Sequence, residues 1–142
     1  MVEEVVQVSD GFRPQDVEIF RPYSDEIPWE LLALAEQDEA QLLANADADF
    51  IRVAKYQDEA IGAYVIEPET PTCYVVRNLA VDQAWQRRGL GRWLLGHAIG
   101  ISESKGAREI LARSVPRAAR GLFERTGFQS EGDDLRLVLM PE

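Results

Sequence analysis

The spacing of apolar positions along this 142-residue chain switches between the two-residue period of strands and the longer period of helices. A polar turn, Gln57-Asp58-Glu59, joins two of the predicted strands into a hairpin. Strands are predicted where short runs are rich in apolar, β-branched or aromatic residues: 17–20, 50–56, 60–67, 72–81, 109–115 and a closing hairpin whose last strand is 135–140.

Apolar residues three or four positions apart predict helices between these strands. The first helical stretch lies within residues 22–50, where Ser24 or Asp25 can cap it and Pro28 suits the first turn, and a second short helix covers 37–44. Two longer helices follow, each ended by a glycine: one from residue 90 to Gly106, with apolar residues at 90, 94, 98 and 101, and one from Pro116 to Gly127.

The predicted order of elements is β-α-α-β-β-β-α-β-α-β, an α/β fold (α+β) with a mixed sheet in one domain, residues 1–142. Residues 1–13 are either an additional edge strand or an arm. With 46% apolar and 28% charged residues, the composition is that of an ordinary globular protein.

Several classes of protein are excluded by composition. No window approaches 18 consecutive apolar residues, and the first ten residues contain no basic run, so neither a membrane span nor a secretory signal is predicted. The single cysteine, Cys73, excludes an internal disulfide and a cysteine-rich metal cluster. We therefore expect a cytoplasmic protein with no metal and no membrane partner.

Charge is distributed unevenly along the chain. The net charge of −10 argues against general nucleic-acid binding, which needs a positive surface. Residues 1–76 hold 17 acids and 4 bases (net −13), residues 77–125 hold 4 acids and 10 bases (net +6), and the last 17 residues are net −3. The chain is thus an acidic body with one basic segment, although such charge blocks also occur simply as solvated surface.

The basic segment contains the hexapeptide QRRGLG, residues 86–91, between a predicted strand and a predicted helix. The first N–H groups of a helix lack intrahelical partners and lie at the positive end of its dipole, so this position favours phosphate. Gly89 and Gly91 let a ligand oxygen approach the backbone closely. Three arginines add positive charge around it: Arg87, Arg88 and Arg92.

Two familiar phosphate loops do not match this segment. No Gly-Lys-Ser/Thr sequence follows the glycines, so the loop is not a P-loop and implies no Mg²⁺ site. A Rossmann fingerprint would need glycine where Leu94 stands and an acid on the following strand.

The hexapeptide resembles motif A of the GCN5-related N-acetyltransferases (GNAT), in which Gln or Arg is followed by two residues, Gly, one residue, and Gly or Ala. The segment NLAVDQAWQRRGLG, residues 78–91, is similar to the strand-to-helix segment of that family. LFERTGF, residues 122–128, resembles its second signature, an aromatic-rich helix ending in Gly-Phe. The order of elements fits from about residue 17 to residue 140.

The resemblance implies a GNAT-like acyl-CoA N-acyltransferase fold that binds acetyl-CoA. Backbone N–H groups from Arg87 to Arg92 would hold the pyrophosphate, and the strand at residues 79–81 would pair with the pantetheine arm. The N–H of Leu79 is the implied donor to the oxyanion. The cofactor-binding residues predicted in this way are Leu79, Ala80, Val81, Gln86, Arg87, Arg88, Gly89, Leu90, Gly91, Arg92 and Phe123.

The sequence departs from the family pattern at two positions. Where the family usually has a tyrosine that protonates the leaving thiolate, this chain has Phe123, and Pro116 replaces a common asparagine seven residues earlier. Neither change excludes direct attack by an amine on the thioester, because CoA thiolate is a fair leaving group and solvent can protonate it. The identity of a general acid, and whether one exists, stays open.

No residue stands out as the general base that an acceptor ammonium requires. Glu67 and Glu69 are nearest by topology, with a solvated hairpin rim as the alternative. His97 lies eight residues beyond Gly89, roughly 12 Å along a helix, and is expected to be structural. Two further residues each have two interpretations. Cys73 is either an acetyl carrier or a small buried apolar residue. Trp29 either lies in the acceptor groove, as the family resemblance implies, or fills the core.

The sequence therefore predicts an N-acetyltransferase acting on an amine of a small molecule or peptide, with a homodimer left open. The alternative is a catalytically weak or inactive acyl-CoA-binding regulatory module. A third, weaker option is acetylation in a toxin–antitoxin or tRNA context, against which the acidity argues. In the family that the chain resembles, the first strands and helices line the acceptor side. Because this part of the chain is acidic, a cationic acceptor is expected, such as a polyamine, an aminoglycoside-like amine or a basic peptide.

Overall fold

The computed structural model describes residues 16–23, 26–28, 30, 48–113 and 115–139. Four sequence-based expectations lie wholly or partly outside these residues: the extra strand or arm at 1–13, the two helices within 22–50, Trp29, and the end of the last strand at residue 140.

One mixed sheet of seven strands forms the centre of the described part of the chain, in the order β1-β2-β3-β4-β5-β7-β6. All neighbouring strands are antiparallel except β4 and β5, which are parallel. The strands are β1 (Glu18–Phe20), β2 (Ile51–Tyr56), β3 (Glu59–Thr70), β4 (Cys73–Val81), β5 (Glu109–Ala112), β6 (Gln129–Glu131) and β7 (Asp134–Val138).

Two helices, α1 (Leu90–Ser104) and α2 (Arg117–Arg125), pack against the same apolar core. α1 buries a row of residues at helical spacing that includes Leu90, Leu94 and Ala98, as the sequence pattern predicted. Positive φ angles at Gly106 (109°) and Gly127 (112°) follow the two helices, which confirms the predicted stops.

The strand boundaries differ from the sequence prediction by no more than two residues at most ends and by about three at the ends of β3 and β5. Gln57 and Asp58 alone form the hairpin turn, with φ angles of 51° and 70° that match the twist of the strands, so Glu59 already belongs to β3. β3 extends to Thr70, and β5 ends at Ala112 instead of residue 115. The closing hairpin supplies two strands to the sheet.

Helix α1 packs closely against the sheet at Gly62 on β3. A Cβ atom at this position would lie 2.7 Å from Cδ1 of the fully buried Leu94 and 3.3 Å from the carbonyl oxygen of Ala80. The Ala80 carbonyl belongs to the strand backbone, and the Leu94 side chain, fully buried in a close-packed interior, has little room to turn away. The absence of a side chain at Gly62 therefore sets how near α1 lies to β3 and β4.

Two glycine-to-alanine substitutions should have effects of opposite sign. We expect Gly62→Ala to lower the free energy of unfolding by about 1–3 kcal/mol through overpacking. Gly96→Ala is the matched control, since Gly96 is in α1 and a Cβ atom added there would have no neighbouring atom within 4 Å; this change should raise the free energy of unfolding by about 0.5–1 kcal/mol. Urea denaturation measures both, and equal effects would contradict the close approach at Gly62.

Candidate functional site

The parallel strands β4 and β5 run side by side briefly and then part. Their pairing stops at Val75, opposite Leu111, and β5 ends at Ala112. β4 continues to Val81, paired with β3 on its other side. Among the described residues, the edge of β4 from Val76 onward therefore has no strand beside it on the β5 side. We call this edge, residues 76–81, the open edge; its backbone groups can pair with an extended ligand.

A β-bulge lies at the start of the open edge. Val65 is opposite Asn78 and Ile66 is opposite Val76, which leaves Arg77 as the additional residue of β4. A bulge bends its strand and increases the local twist. The bulge therefore bends β4 close to the point where its pairing with β5 has just ended.

A short loop ties the far end of β4 to helix α1. The Asp82 carboxylate accepts a hydrogen bond from the Ala84 N–H at 2.9 Å and so caps a 3-10 turn, Gln83–Trp85. The side-chain amide of Gln86 donates to the Val81 carbonyl at 3.1 Å. Residues 87–92 are thereby held directly beyond the end of the open edge.

The backbone of this loop has the conformation of an anion-binding nest. Arg87 (φ 67°) and Gly89 (φ 90°) both have left-handed φ angles, one on each side of Arg88, and left-handed residues in such a turn make successive N–H groups converge. The first hydrogen bond of α1 runs from the Trp93 N–H to the Gly89 carbonyl at 3.0 Å. Within the described part of the chain, the N–H groups of residues 90–92 have no backbone acceptor and remain for a ligand.

Positive side chains surround the nest. Arg87, Arg88 and Arg92 are all exposed, and none forms an ion pair with a described acidic residue. The Arg88 guanidinium lies 5.0 Å from the ring centre of Trp85, a cation–π contact that limits its movement. The arrangement can therefore bind a polyanionic group through both backbone and side chains.

Helix α2 forms the wall next to the nest. A Cβ atom at Gly91 would be in ordinary contact with Leu122 of α2 at 3.6 Å and with Val81 at 3.7 Å. Phe123 is buried and meets Phe128 edge-to-face at 5.2 Å between ring centres. The residue in place of the family's tyrosine thus belongs to the core that supports α2.

The two glutamates predicted as base candidates both take part in ion pairs. Glu67 lies 3.5 Å from Arg77 on the bulge. Both carboxylate oxygens of Glu69 accept hydrogen bonds from Arg113, at 2.6 to 3.1 Å. These contacts favour the structural alternative, in which the rim of the hairpin is held by charge pairs.

Cys73 is at the closed end of the β4–β5 gap. It is buried, and burial, followed by the negative charges of Glu109 and Glu69, raises the pKa of its thiol. Cys73 is six residues from Leu79, or about 20 Å along the strand. A buried, protonated thiol at this distance from the predicted oxyanion donor fits the core interpretation better than that of an acetyl carrier.

His97 contacts the sheet below helix α1. Its Nδ1 is 2.7 Å from the buried Tyr64 hydroxyl. Burial, with a smaller contribution from the positive Arg52, lowers the pKa of His97, and burial raises the pKa of Tyr64. Both groups are therefore neutral near pH 7, so that the hydroxyl can donate to the imidazole. This pairing supports the structural role expected for His97.

Two other kinds of feature are absent from the residues that the structure describes. None of their helices has the length and apolar character to cross a bilayer. No three histidine, cysteine or acidic side chains there come together as ligands for a metal ion.

Comparison with protein families identifies the chain. A model of the acetyltransferase (GNAT) family matches residues 11–128. The chain belongs to this family. Residues 86–91 and 122–128, on which the sequence-based resemblance rested, fall inside the matched region.

One relative is similar to this chain in sequence, and two solved structures are similar to it in fold. The [ribosomal protein bS18]-alanine N-acetyltransferase of Salmonella typhimurium is 32% identical over 92 residues, which span 63% of this chain and 62% of the relative. A GNAT acetyltransferase from Elizabethkingia anophelis, solved with acetyl-CoA bound, has a TM-score of 0.76 at 22% identity, over 87% of this chain and 99% of that one. The ribosomal-protein-S18-alanine N-acetyltransferase of Escherichia coli has a TM-score of 0.74 at 21% identity, over 89% and 96%.

The structure brings most of the predicted site residues of this GNAT protein together. Leu79, Ala80 and Val81 are on the open edge, Gln86 ties the loop to Val81, and residues 87–92 form the nest at its end. Phe123 is on the buried side of the adjacent helix, so its contact with a cofactor stays a prediction. Sequence reasoning missed the bulge at Arg77 and the role of Arg113, because neither leaves a short-range signal: each depends on strands that are distant in sequence.

The buried His97 should make stability depend on pH. Because its pKa is lowered in the folded state, the unfolded chain binds the proton more readily. The stabilisation is fully present above the unfolded pKa of about 6.5 and is lost as pH falls below it toward the folded pKa. Urea denaturation between about pH 8 and pH 5.5 should show a larger loss for wild type than for His97→Gln. If the free energy of unfolding fell by the same amount in both proteins, the link between His97 and the pH dependence would be contradicted, because the carboxylates titrate in both.

Proposed function

We propose that the protein transfers an acetyl group from acetyl-CoA to a primary amine. The observation that carries the proposal is the continuity of the open edge with the nest at residues 87–92. An extended arm joined to a pyrophosphate would find backbone partners along the first and convergent N–H groups at the second. The acetyl-CoA bound in the Elizabethkingia relative supports this choice of ligand.

Each part of the site would have a separate task. The N–H groups of residues 90–92 and the exposed arginines would hold the pyrophosphate, while residues 79–81 of the open edge would align the pantetheine arm. From the open edge, the Leu79 N–H is the proposed donor to the oxyanion that forms at the thioester carbonyl. For Phe123 we propose a packing role: it supports helix α2, which lies next to the nest.

The proposed reaction is direct. The lone pair of a neutral amine attacks the thioester carbonyl carbon, the C–S bond breaks, the thiolate leaves and the nitrogen gives its extra proton to water. Because Glu67 and Glu69 are held by arginines, water is the proposed proton acceptor. Phe123 cannot donate a proton, so solvent also protonates the thiolate.

The acceptor that we propose is a cationic amine, with a peptide amine as the favoured member of that class. The Salmonella relative is named for acetylating alanine of a ribosomal protein, which supports a peptide. The acidic first half of the sequence, net −13, would attract a positively charged acceptor to the side of the site away from the nest. A cytoplasmic location remains a prediction, as does the state of assembly.

A second candidate function is an acyl-CoA-binding module with little or no catalysis. Two observations favour it: Phe123 is a buried apolar residue where the family has a tyrosine, and both glutamates near the open edge are ion-paired. Release of thiol from acetyl-CoA on addition of any amine would reject this alternative.

Reversing one charge at the nest should weaken binding of CoA. We expect Arg88→Glu to raise the Kd for CoA about tenfold, because an attraction to phosphate becomes a repulsion. Arg108→Glu is the matched control, since Arg108 is also exposed but lies beyond the opposite end of α1. Isothermal titration with CoA and desulfo-CoA measures both. No binding to wild type would refute the proposed function, and equal weakening by the two variants would refute the site.

The acceptor class can be tested with a panel of cationic, neutral and acidic amines, including short peptides. We expect kcat/KM to be highest for cationic acceptors and their advantage to shrink as salt rises, because long-range attraction is screened within about 8–10 Å at ordinary ionic strength. Thiol release measures the rate at low and high salt. A preference for neutral or acidic amines, or a cationic preference that salt does not change, would show the charge argument to be wrong.

A further inference from the structure

Two arginines near the start of the open edge take part in ion pairs. Arg77 is on the bulge of β4 and pairs with Glu67. Arg113 directly follows β5 and pairs with Glu69 of β3, with Asp134 also 3.7 Å away. Since β4 lies between β3 and β5, the Arg113–Glu69 pair crosses β4. We call Arg77 and Arg113 the rim arginines.

The rim arginines lie on, or directly after, the two strands that border the start of the open edge. Arg77 is two residues from Leu79, about 7 Å along an extended strand. Arg113 is two residues beyond Leu111, the last residue of β5 that pairs with β4. Any side chain at these two positions that is able to accept an acetyl group would therefore compete with the true acceptor through proximity alone.

Lysine is nearly absent from this chain. Of its 15 lysine and arginine residues, only Lys55 and Lys105 are lysines. The Lys55 ammonium is 4.9 Å from the ring centre of Phe20, and that of Lys105 is 5.2 Å from that of Phe50. Neither lysine belongs to the open edge, β5 or the nest. The positive charge near the proposed reaction is thus entirely guanidinium.

Guanidinium and ammonium groups differ in the chemistry that matters here. A lysine amine has a pKa near 10.4, so a small neutral fraction is present at pH 7–9 and can attack a thioester. An arginine stays protonated and its nitrogen lone pairs are delocalised, so it supplies the same charge without a nucleophile. Arginine also binds a carboxylate with two parallel hydrogen bonds, as Arg113 does with Glu69.

We propose that arginine at positions 77 and 113 prevents the enzyme from acetylating itself. In this way the two residues restrict the acceptors to amines that come from outside the protein. The rim needs positive charge to hold Glu67 and Glu69, and guanidinium provides that charge without an amine next to the thioester. This inference rests on the proposed function, since it requires that acetyl-CoA occupy the open edge. Lysine at either position would take the acetyl group: its neutral nitrogen would bond to the carbonyl carbon, the C–S bond would break, CoA thiolate would leave, and the nitrogen would give its extra proton to water.

The test replaces each rim arginine by lysine and measures self-acetylation. Arg77→Lys and Arg113→Lys are incubated separately with acetyl-CoA at about pH 9, where more of the amine is neutral. Peptide mass spectrometry then follows the appearance of an acetyl group at the substituted position. The matched control is Arg136→Lys: Arg136 also bridges two carboxylates, Glu109 and Glu131, but lies on β7, with β5 between it and the open edge.

We expect acetylation at position 77 or 113 to be at least about tenfold faster than at position 136, through proximity. Adding Arg88→Glu to either rim variant should slow it, because less acetyl-CoA is bound. Equal rates at all three positions, or no effect of Arg88→Glu, would overturn the inference.

Titration of every variant with CoA keeps the two proposals apart. If wild type does not bind CoA, the proposed function fails. If the rim variants bind CoA as wild type does but are not acetylated, only the exclusion of self-acetylation fails, and the arginines serve the ion pairs alone. Since lysine preserves the charge, CoA binding also reports that each variant is folded; if one rim variant does not bind, the other decides the outcome.

Discussion

The site depends on a single constraint: a β-strand edge that loses its neighbour must find other partners for its backbone groups. β4 loses β5 after Val75 and still runs to Val81. A strand edge left in this way attracts another extended chain, which proteins normally prevent by covering the edge. Here the edge leads directly to a helix N-terminus with its own unsatisfied N–H groups. Both features require the same kind of ligand, an extended arm that ends in an anion.

Residues outside β4 and β5 make the contacts that keep these two strands apart. Arg113 connects the end of β5 to Glu69 of β3. The Arg120 side chain of α2 donates to Ser130 and to the carbonyls of Gly132 and Asp133, which fixes the β6–β7 turn against that helix. The Val115 N–H also donates to Asp133. The chain after β5 is thus led away from β4 by hydrogen bonds, while Gly62 and Leu94 hold α1 against the other side.

The arginines of this site fall into two groups that the net charge of the chain does not distinguish. Around the nest, arginines have no acidic partner among the described residues and remain available to a ligand; at the rim, Arg77 and Arg113 are neutralised by glutamates. Unpaired guanidinium groups attract phosphate, whereas paired ones mainly fix geometry. The same residue type thus has two uses within one site.

Local sequence determined much of the protein. Period-2 and helical patterns predicted the strands and the two described helices, and the glycines at 106 and 127 marked their ends, because those features depend on neighbouring residues. The motif QRRGLG predicted the nest for the same reason: a strand, a left-handed glycine and a helix start are consecutive in the chain. The resemblance to the GNAT family rested on this local segment and on the order of elements.

Only the tertiary structure decided where the strands separate and what the side chains near that separation contact. The bulge at Arg77 exists because two residues of β3 meet three of β4, and the Arg113–Glu69 pair joins residues 44 positions apart. The early end of β5 likewise followed from contacts with the β6–β7 turn. A sequence pattern reports which face of an element is apolar, but it carries no information on register, so pairings between distant strands had to come from packing of the whole sheet.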